Sequence, residues 1–146
     1  MATLVQFFDH RCNEIIECLP FPFYNLTMTK DFKIRVGICE DIGHRNAMED
    51  EHAIYQKPEK RFFSAEVYDG HGGRKAAQVA AEMVTPHFLH AWSREKEKPL
   101  QERESEAELL RNAYLAVDRH IIENGFNSGT TAAGFYLIDD YFYAVN

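Results

Sequence analysis

Two acidic stretches contain the residues best suited to bind a divalent cation and a phosphate. In the first, Arg45 precedes Glu49 and Asp50; in the second, Asp69 is followed by a glycine-rich turn that contains His71. Carboxylate and backbone carbonyl oxygens are the ligands that Mg²⁺ and Mn²⁺ prefer, and an arginine can hold an oxyanion through two parallel hydrogen bonds. Each stretch alone also fits a simpler structure, a solvated loop for the first and an Asp-Gly turn with a surface histidine for the second.

Strands predicted from the apolar pattern bring the two stretches together. Alternating or continuous apolar residues predict three strands, at Phe32–Cys39, Ala53–Gln56 and Phe62–Tyr68. The third strand should return antiparallel beside the second as a hairpin. Glu49 and Asp50 precede the second strand and Asp69 follows the third, so we expect these carboxylates to meet at one end of a sheet.

Helical spacing predicts the elements that follow. A helix begins near Arg74, and Thr85 with Pro86 predicts a break after which a second segment continues to Trp92. A mixed-charge linker follows, and a capping box at Ser105 opens another helix, which Asn124 and Gly125 close. Small residues from Ser128 then open a strand that turns at Asp139-Asp140 into a return strand from Tyr141.

Other residues whose side chains could bind a metal or take part in catalysis have structural interpretations. His87 and His90 are three residues apart but lack a third metal ligand, so we expect them on a helix surface. Tyr114 lies in the apolar stripe of its helix and should belong to the core. Residues 1–32 are predicted to form an N-terminal arm with a short amphipathic helix before Pro20 and Pro22.

Composition restricts the class of protein. The chain has 146 residues, 45% of them hydrophobic, which suits one compact domain or part of a larger one. Its net charge of -7 argues against binding to nucleic acid or an anionic membrane. Three cysteines without zinc spacing, and no signal peptide or apolar run of ~20 residues, predict a cytoplasmic protein, with the nucleus as a further location.

Three motifs taken together resemble the type 2C family of metal-dependent protein serine/threonine phosphatases. They are Arg45 through Asp50, Val67 through Gly73, and Gly129-Thr130-Thr131-Ala132, and their order and intervening helices are similar to those of the family. The resemblance covers roughly residues 33–146, the amino-terminal part of a catalytic domain that we expect to be incomplete at its C-terminus. It implies an α+β fold, an αββα four-layer sandwich of two antiparallel sheets flanked by helices.

The resemblance also implies a role for each motif residue. The carboxylates of Glu49 and Asp69 and the carbonyl of Gly70 would bind Mg²⁺ or Mn²⁺, with two ions in a complete domain and Asp50 as a supporting carboxylate. Arg45 would hold the substrate phosphate and His71 would act as general acid, while a metal-activated water hydrolyses phosphoserine or phosphothreonine in signalling phosphoproteins. The alternative is a catalytically incompetent domain that acts as a binding or regulatory module. The net negative charge of the chain disfavours a third interpretation, a metal-dependent nuclease.

Overall fold

The computed structural model describes residue 34 and residues 36–146. Its strands are β1 (Glu51–Lys57), β2 (Phe62–Tyr68), β3 (Gly70–His71), β4 (Gly129–Thr130), β5 (Ala133–Ile138) and β6 (Tyr141–Val145), and its helices are α1 (Lys75–Glu95) and α2 (Glu106–Glu123). Single turns of 3₁₀ helix occupy Pro58–Lys60 and Leu100–Glu102. The predicted N-terminal arm lies outside the described residues.

One antiparallel sheet carries the fold. Its strand order is β1-β2-β5-β6, and a separate two-stranded ribbon pairs β3 with β4. The β1–β2 and β5–β6 hairpins follow the predicted pattern, and the α+β class is confirmed, with two antiparallel sheets and two helices. None of the helices in this part of the chain has the length and apolar character needed to cross a bilayer.

Both helices pack on the same face of the large sheet. That face presents alternate side chains of β2, which are all buried: Phe62, Ser64, Glu66 and Tyr68. Near one end of the sheet Phe62 stacks on Phe88, which in turn stacks on Trp92, with ring centroids 5.7 and 5.9 Å apart. Aromatic packing of this kind adds to the area buried, so it anchors α1 firmly along β2.

The opposite face of the sheet is also apolar. It carries Val67, Phe135 and Phe142, which are exposed, and Phe135 packs on Phe142 with ring centroids 4.3 Å apart. An apolar, exposed sheet face fits a further layer on this side, as the predicted sandwich requires. The four-layer arrangement as a whole stays a prediction.

Three predicted features differ from the structure. The strand predicted to open at Ser128 is divided into β4, which pairs with β3, and β5, which pairs with β2. Residues 34 and 36–39 are not in a strand, since Val36 and Ile38 are 45% and 57% exposed and pair with no strand in the described part of the chain. Helix α1 also continues through Pro86 without a break. Pro86 is exposed while the preceding Thr85 is buried against the sheet, so packing outweighs the helix-breaking tendency of proline, which costs about 3 kcal/mol.

The second helix matches its prediction at both ends. The Ser105 side chain accepts a hydrogen bond of 3.3 Å from the Glu108 amide, as an N-cap does. At the other end Gly125 has a φ of +68° and its amide donates to the Ile122 carbonyl at 3.0 Å. Tyr114 on this helix faces the sheet, and the predicted core position is therefore correct.

Candidate active site

The hairpin of β1 and β2 places Asp50 beside Asp69. Its register pairs Glu51 with Tyr68, so the next residue outward on each strand is one of the two aspartates. The two carboxyl groups lie close enough to interact, because burial and then the nearby Asp69 charge raise the pKa of Asp50. Two carboxyl groups this close repel each other when both are ionised, which is an arrangement that a divalent cation would relieve.

Charged side chains before β1 surround this carboxyl pair. Arg45 lies in a turn in which its amide donates to the Ile42 carbonyl at 3.2 Å, and its exposed side chain lowers the pKa of Asp50. Glu40 acts in the opposite direction on the same carboxyl. The arginine therefore lies within electrostatic reach of the carboxyl pair, where it could also contact an anion.

Gly70 allows the backbone of the first motif to approach the second. A Cβ at position 70 would overlap the carbonyl oxygen of Glu49 and touch the Ala77 side chain. Only glycine fits at such a contact. The backbones of Glu49 and Gly70 therefore lie against each other next to the aspartate pair.

The third motif, Gly129–Thr131, packs against the turn that follows Asp69. Gly70 and His71 pair with Thr130 and Gly129, and the Thr131 amide donates to the Asp69 carbonyl at 2.9 Å. The His71 side chain is exposed at one edge, and its ring lies over Gly129, where a Cβ would collide with it. All three motifs of the sequence thus meet at this turn.

Ser128 and Arg74 lie beside the site, and the sequence did not predict their contacts. The Ser128 hydroxyl accepts a hydrogen bond of 3.0 Å from the Ala76 amide in the first turn of α1. Arg74 forms an ion pair with Glu51, which raises the arginine pKa. These partners are 52 and 23 residues apart in sequence, so no local pattern links them.

The edge of β1 next to the site borders an open depression. Its volume is about 530 Å³, and its lining includes Glu51, His52, Arg74 and Glu82. His52 also contacts Glu40, with Nδ1 and Oε1 2.6 Å apart. The depression is therefore largely polar, and Glu51 in its lining is the residue that follows Asp50 in sequence.

The residues present fit a hard divalent cation, although not as a complete cage. The side chains of Asp50 and Asp69 meet, and the backbone of Glu49 joins that of Gly70. Within residues 34 and 36–146, no three His, Cys, Asp or Glu side chains are arranged as a ligand set. Mg²⁺ commonly uses one or two protein carboxylates and retains several waters, so this donor set suits such an ion. His87 and His90 are exposed on α1, as predicted.

Comparison with known proteins identifies the family. The family model described as Protein phosphatase 2C matches residues 34–146. Probable protein phosphatase 2C 14 of Arabidopsis thaliana is 36% identical over 97 residues, which cover 64% of this chain and 20% of that protein. Probable protein phosphatase 2C 74 of Oryza sativa subsp. japonica is 33% identical over 116 residues, which cover 71% of this chain and 28% of that protein.

One solved structure is similar over part of the chain. It is described as the structure of a C. elegans sex determining protein, with a TM-score of 0.49, 23% sequence identity and coverage of 63% of this chain and 24% of that one. The present chain thus spans 20% and 28% of the lengths of the two plant relatives. On the family match over residues 34–146, this chain belongs to the protein phosphatase 2C family.

Proposed function

We propose that residues 33–146 supply the amino-terminal part of the active site of a metal-dependent protein serine/threonine phosphatase. The observation that carries the proposal is the contact between Asp50 and Asp69 at the end of the β1–β2 hairpin. Membership of the protein phosphatase 2C family supports protein phosphatase chemistry. Residues 1–32 would form an arm outside the catalytic domain.

The cation would be held by the acidic residues around the turn. Asp69, Glu49 and Asp50 offer carboxylates and Gly70 offers its backbone carbonyl. Bound Mg²⁺ or Mn²⁺, two ions in a complete domain, would supply Lewis acidity and an activated water at neutral pH. The interaction between Asp50 and Asp69 supports this part of the proposal.

Arg45 and His71 would act on the substrate phosphate. The guanidinium of Arg45 can hold two phosphate oxygens and stabilise negative charge in the transition state. Water would add to phosphorus while the ester P–O bond breaks, without a phosphoenzyme, and the proton that the water loses would pass to solvent. His71 would donate its proton to the departing serine or threonine oxygen, which is otherwise a poor leaving group.

The acid role of His71 is tested by comparing two substrates. With Mn²⁺ present, His71→Ala should slow hydrolysis of a phosphothreonine peptide by roughly 10²–10⁴-fold. Hydrolysis of an aryl phosphate should fall far less, because its leaving group needs little protonation. His90→Ala, which removes an exposed histidine of α1, is the matched control and should change neither rate. Equal losses on both substrates would contradict the acid role.

A second candidate function is a non-catalytic binding or regulatory module. It is favoured by the lack of a three-residue His, Cys, Asp or Glu ligand set in the described residues. Such a module would bind at most one Mn²⁺ weakly and hydrolyse no phosphopeptide. Calorimetric titration of the 146-residue chain with Mn²⁺ separates the two candidates, since two tight sites would contradict the module.

The partners follow from this chemistry. A phosphatase of this class would act on phosphoserine and phosphothreonine in signalling phosphoproteins. The net charge of -7 disfavours nucleic acid and anionic membranes as partners. We propose the cytoplasm, with the nucleus as a further location, as the place where such substrates are met.

A further inference from the structure

Glu66 is a carboxyl group buried in the core and remote from solvent. It lies in the middle of β2 on the face that packs on the helices, and it is 1% exposed. The ion pairs of the described residues all involve other side chains. A buried carboxyl without a cation must be satisfied by hydrogen-bond donors, because leaving it unpaired is very costly.

Hydroxyl groups supply those donors. The Tyr68 hydroxyl donates to Glu66 Oε2 at 2.7 Å, and the Thr85 hydroxyl donates to Glu66 Oε1. The Ser64 hydroxyl lies 3.3 Å from that of Thr85. Both carboxyl oxygens are therefore satisfied, one by β2 itself and the other by α1.

Two further tyrosines lie beside these groups, and we call the five residues Glu66, Tyr68, Thr85, Tyr114 and Tyr136 the Glu66 ring. The Tyr114 and Tyr136 hydroxyls are 2.9 Å apart. Tyr114 also interacts with Tyr68, and Tyr136 interacts with Thr85. The ring thus connects β2, α1, α2 and β5 around one carboxyl group.

Gly134 provides the space for this ring. It pairs with Glu66 across β2 and β5, and a Cβ there would overlap the Tyr114 hydroxyl and the Tyr136 ring. A glycine in a strand interior weakens the strand. Its presence opposite Glu66 indicates that the hydroxyls must meet at this point.

Stability alone is a weak explanation for a carboxyl group in this position. Replacing buried ionic groups by apolar side chains of similar size is often neutral or stabilising. A fully satisfied polar network instead fixes one geometry of the elements that it joins. The Glu66 ring should therefore fix how the elements that it joins lie relative to one another.

The ring holds both elements that flank the Asp69–Gly73 turn. Tyr68, which is fully buried, is the residue immediately before Asp69. Thr85 lies on α1, the helix that begins directly after the turn. Glu66 ties these two residues together, so it sets how the end of β2 and the helix approach each other.

We propose that Glu66 is a positioning residue for the metal-binding turn. Through Tyr68 and Thr85 it holds Asp69 where Asp50 can contact its side chain and the Thr131 amide can contact its carbonyl. This inference rests on the proposed function, because the turn is significant as a metal site. Its direct consequence is structural, however, and can be measured without metal.

Amide hydrogen exchange on the 146-residue chain measures this consequence. The reporter is the Thr131 amide, which donates to the Asp69 carbonyl, and the amides of the β5–β6 ladder are the reference. Glu66→Gln and Tyr68→Phe should each accelerate Thr131 exchange by about tenfold relative to the ladder, as loss of a hydrogen bond of ordinary strength predicts. Weakening of Mn²⁺ binding by about tenfold is the second expected result.

Tyr143→Phe is the matched control. It also removes a tyrosine hydroxyl that interacts with a glutamate, Glu106 of α2, but on β6 rather than in the ring. In this variant, the ratio of the exchange rate of the Thr131 amide to the exchange rates of the β5–β6 ladder amides should be unchanged. If the ring variants accelerate all amides by the same factor, or leave Thr131 unchanged, the positioning role is wrong. If the unmodified chain binds no Mn²⁺, the proposed function fails, and the exchange ratio still decides the role of Glu66.

Discussion

Asp50 and Asp69 define the site through a contact that is unfavourable without a cation. Burial and the charge of Asp69 raise the pKa of Asp50, and Arg45 offsets part of this effect. Proteins place like charges together mainly where function requires it. The Asp50–Asp69 carboxyl pair is therefore the feature that best distinguishes a candidate active site from a surface turn.

Gly70→Ala tests the close approach at this site. The added Cβ would overlap the Glu49 carbonyl oxygen, so we expect a loss of about 1–3 kcal/mol in the free energy of unfolding, as for other overpacked positions. Urea denaturation measures it. Gly37→Ala is the control, because a Cβ there meets no atom within 4 Å. Equal stability of the two variants would show that the Glu49 backbone does not lie against Gly70.

At the scale of elements, a serine from the third motif holds the start of α1. Ser128 accepts a hydrogen bond from the Ala76 amide, just as Ser105 accepts one from the Glu108 amide at the start of α2. The two caps are chemically alike, but only Ser128 adjoins the turn with Asp69. Comparing them separates local helix stability from an effect on the site.

Ser105→Ala should cost about 1 kcal/mol in the free energy of unfolding, the usual value of an N-cap, and Ser128→Ala a similar amount, the usual value of one lost hydrogen bond. Only Ser128→Ala should weaken Mn²⁺ binding, since it frees the helix start that follows the Asp69–Gly73 turn. Urea denaturation gives the first quantity and calorimetry the second. Equal effects of both variants on Mn²⁺ affinity would contradict a link between the cap and the site.

The sequence predicted the elements whose signals are local. The β1–β2 hairpin, the Ser105 N-cap of the predicted capping box and the meeting of Asp50 with Asp69 each follow from patterns within a few residues of a turn or strand end. Contacts set by tertiary packing were missed, such as the Ser128 cap and the Glu66 ring. The same packing allows Pro86 to remain inside α1.

The strand expected over Phe32–Cys39 is absent from its described residues, 34 and 36–39, for a related reason. Alternation of apolar residues shows which face of a strand would be buried, but it does not supply a neighbouring strand. Val36 and Ile38 are exposed, and no strand of the described chain pairs with them. The predicted roles of Arg45, Glu49, Gly70 and His71 stay predictions, because the fold gives their positions and not their chemistry.

At the scale of the whole molecule, the buried tyrosines determine the response to alkaline pH. Burial raises the pKa of Tyr68, Tyr114 and Tyr136 above the ordinary value of 10.0. The negative charge of Glu66 acts in the same direction on all three. In the folded chain these hydroxyls therefore keep their protons at pH values where the unfolded chain loses them.

Stability should consequently fall as pH rises above about 10. There the unfolded state binds fewer protons than the folded state, so the free energy of unfolding decreases by up to ~1.4 kcal/mol per pH unit for each such tyrosine. Tyrosinate absorbance should appear together with unfolding rather than before it. Tyr136→Phe should reduce the dependence of the free energy of unfolding on pH by the contribution of one tyrosine, up to ~1.4 kcal/mol per pH unit. Ionisation of these tyrosines in the folded chain would contradict their burial.

We expect a divalent cation to bind where Asp50, Asp69 and Gly70 meet. Paramagnetic broadening of backbone amide NMR signals by substoichiometric Mn²⁺ locates the cation directly on the 146-residue chain. We predict that broadening is centred on residues 49–50 and 69–71 and disappears from them in Asp69→Asn. Broadening centred elsewhere, or unchanged by Asp69→Asn, would contradict the account.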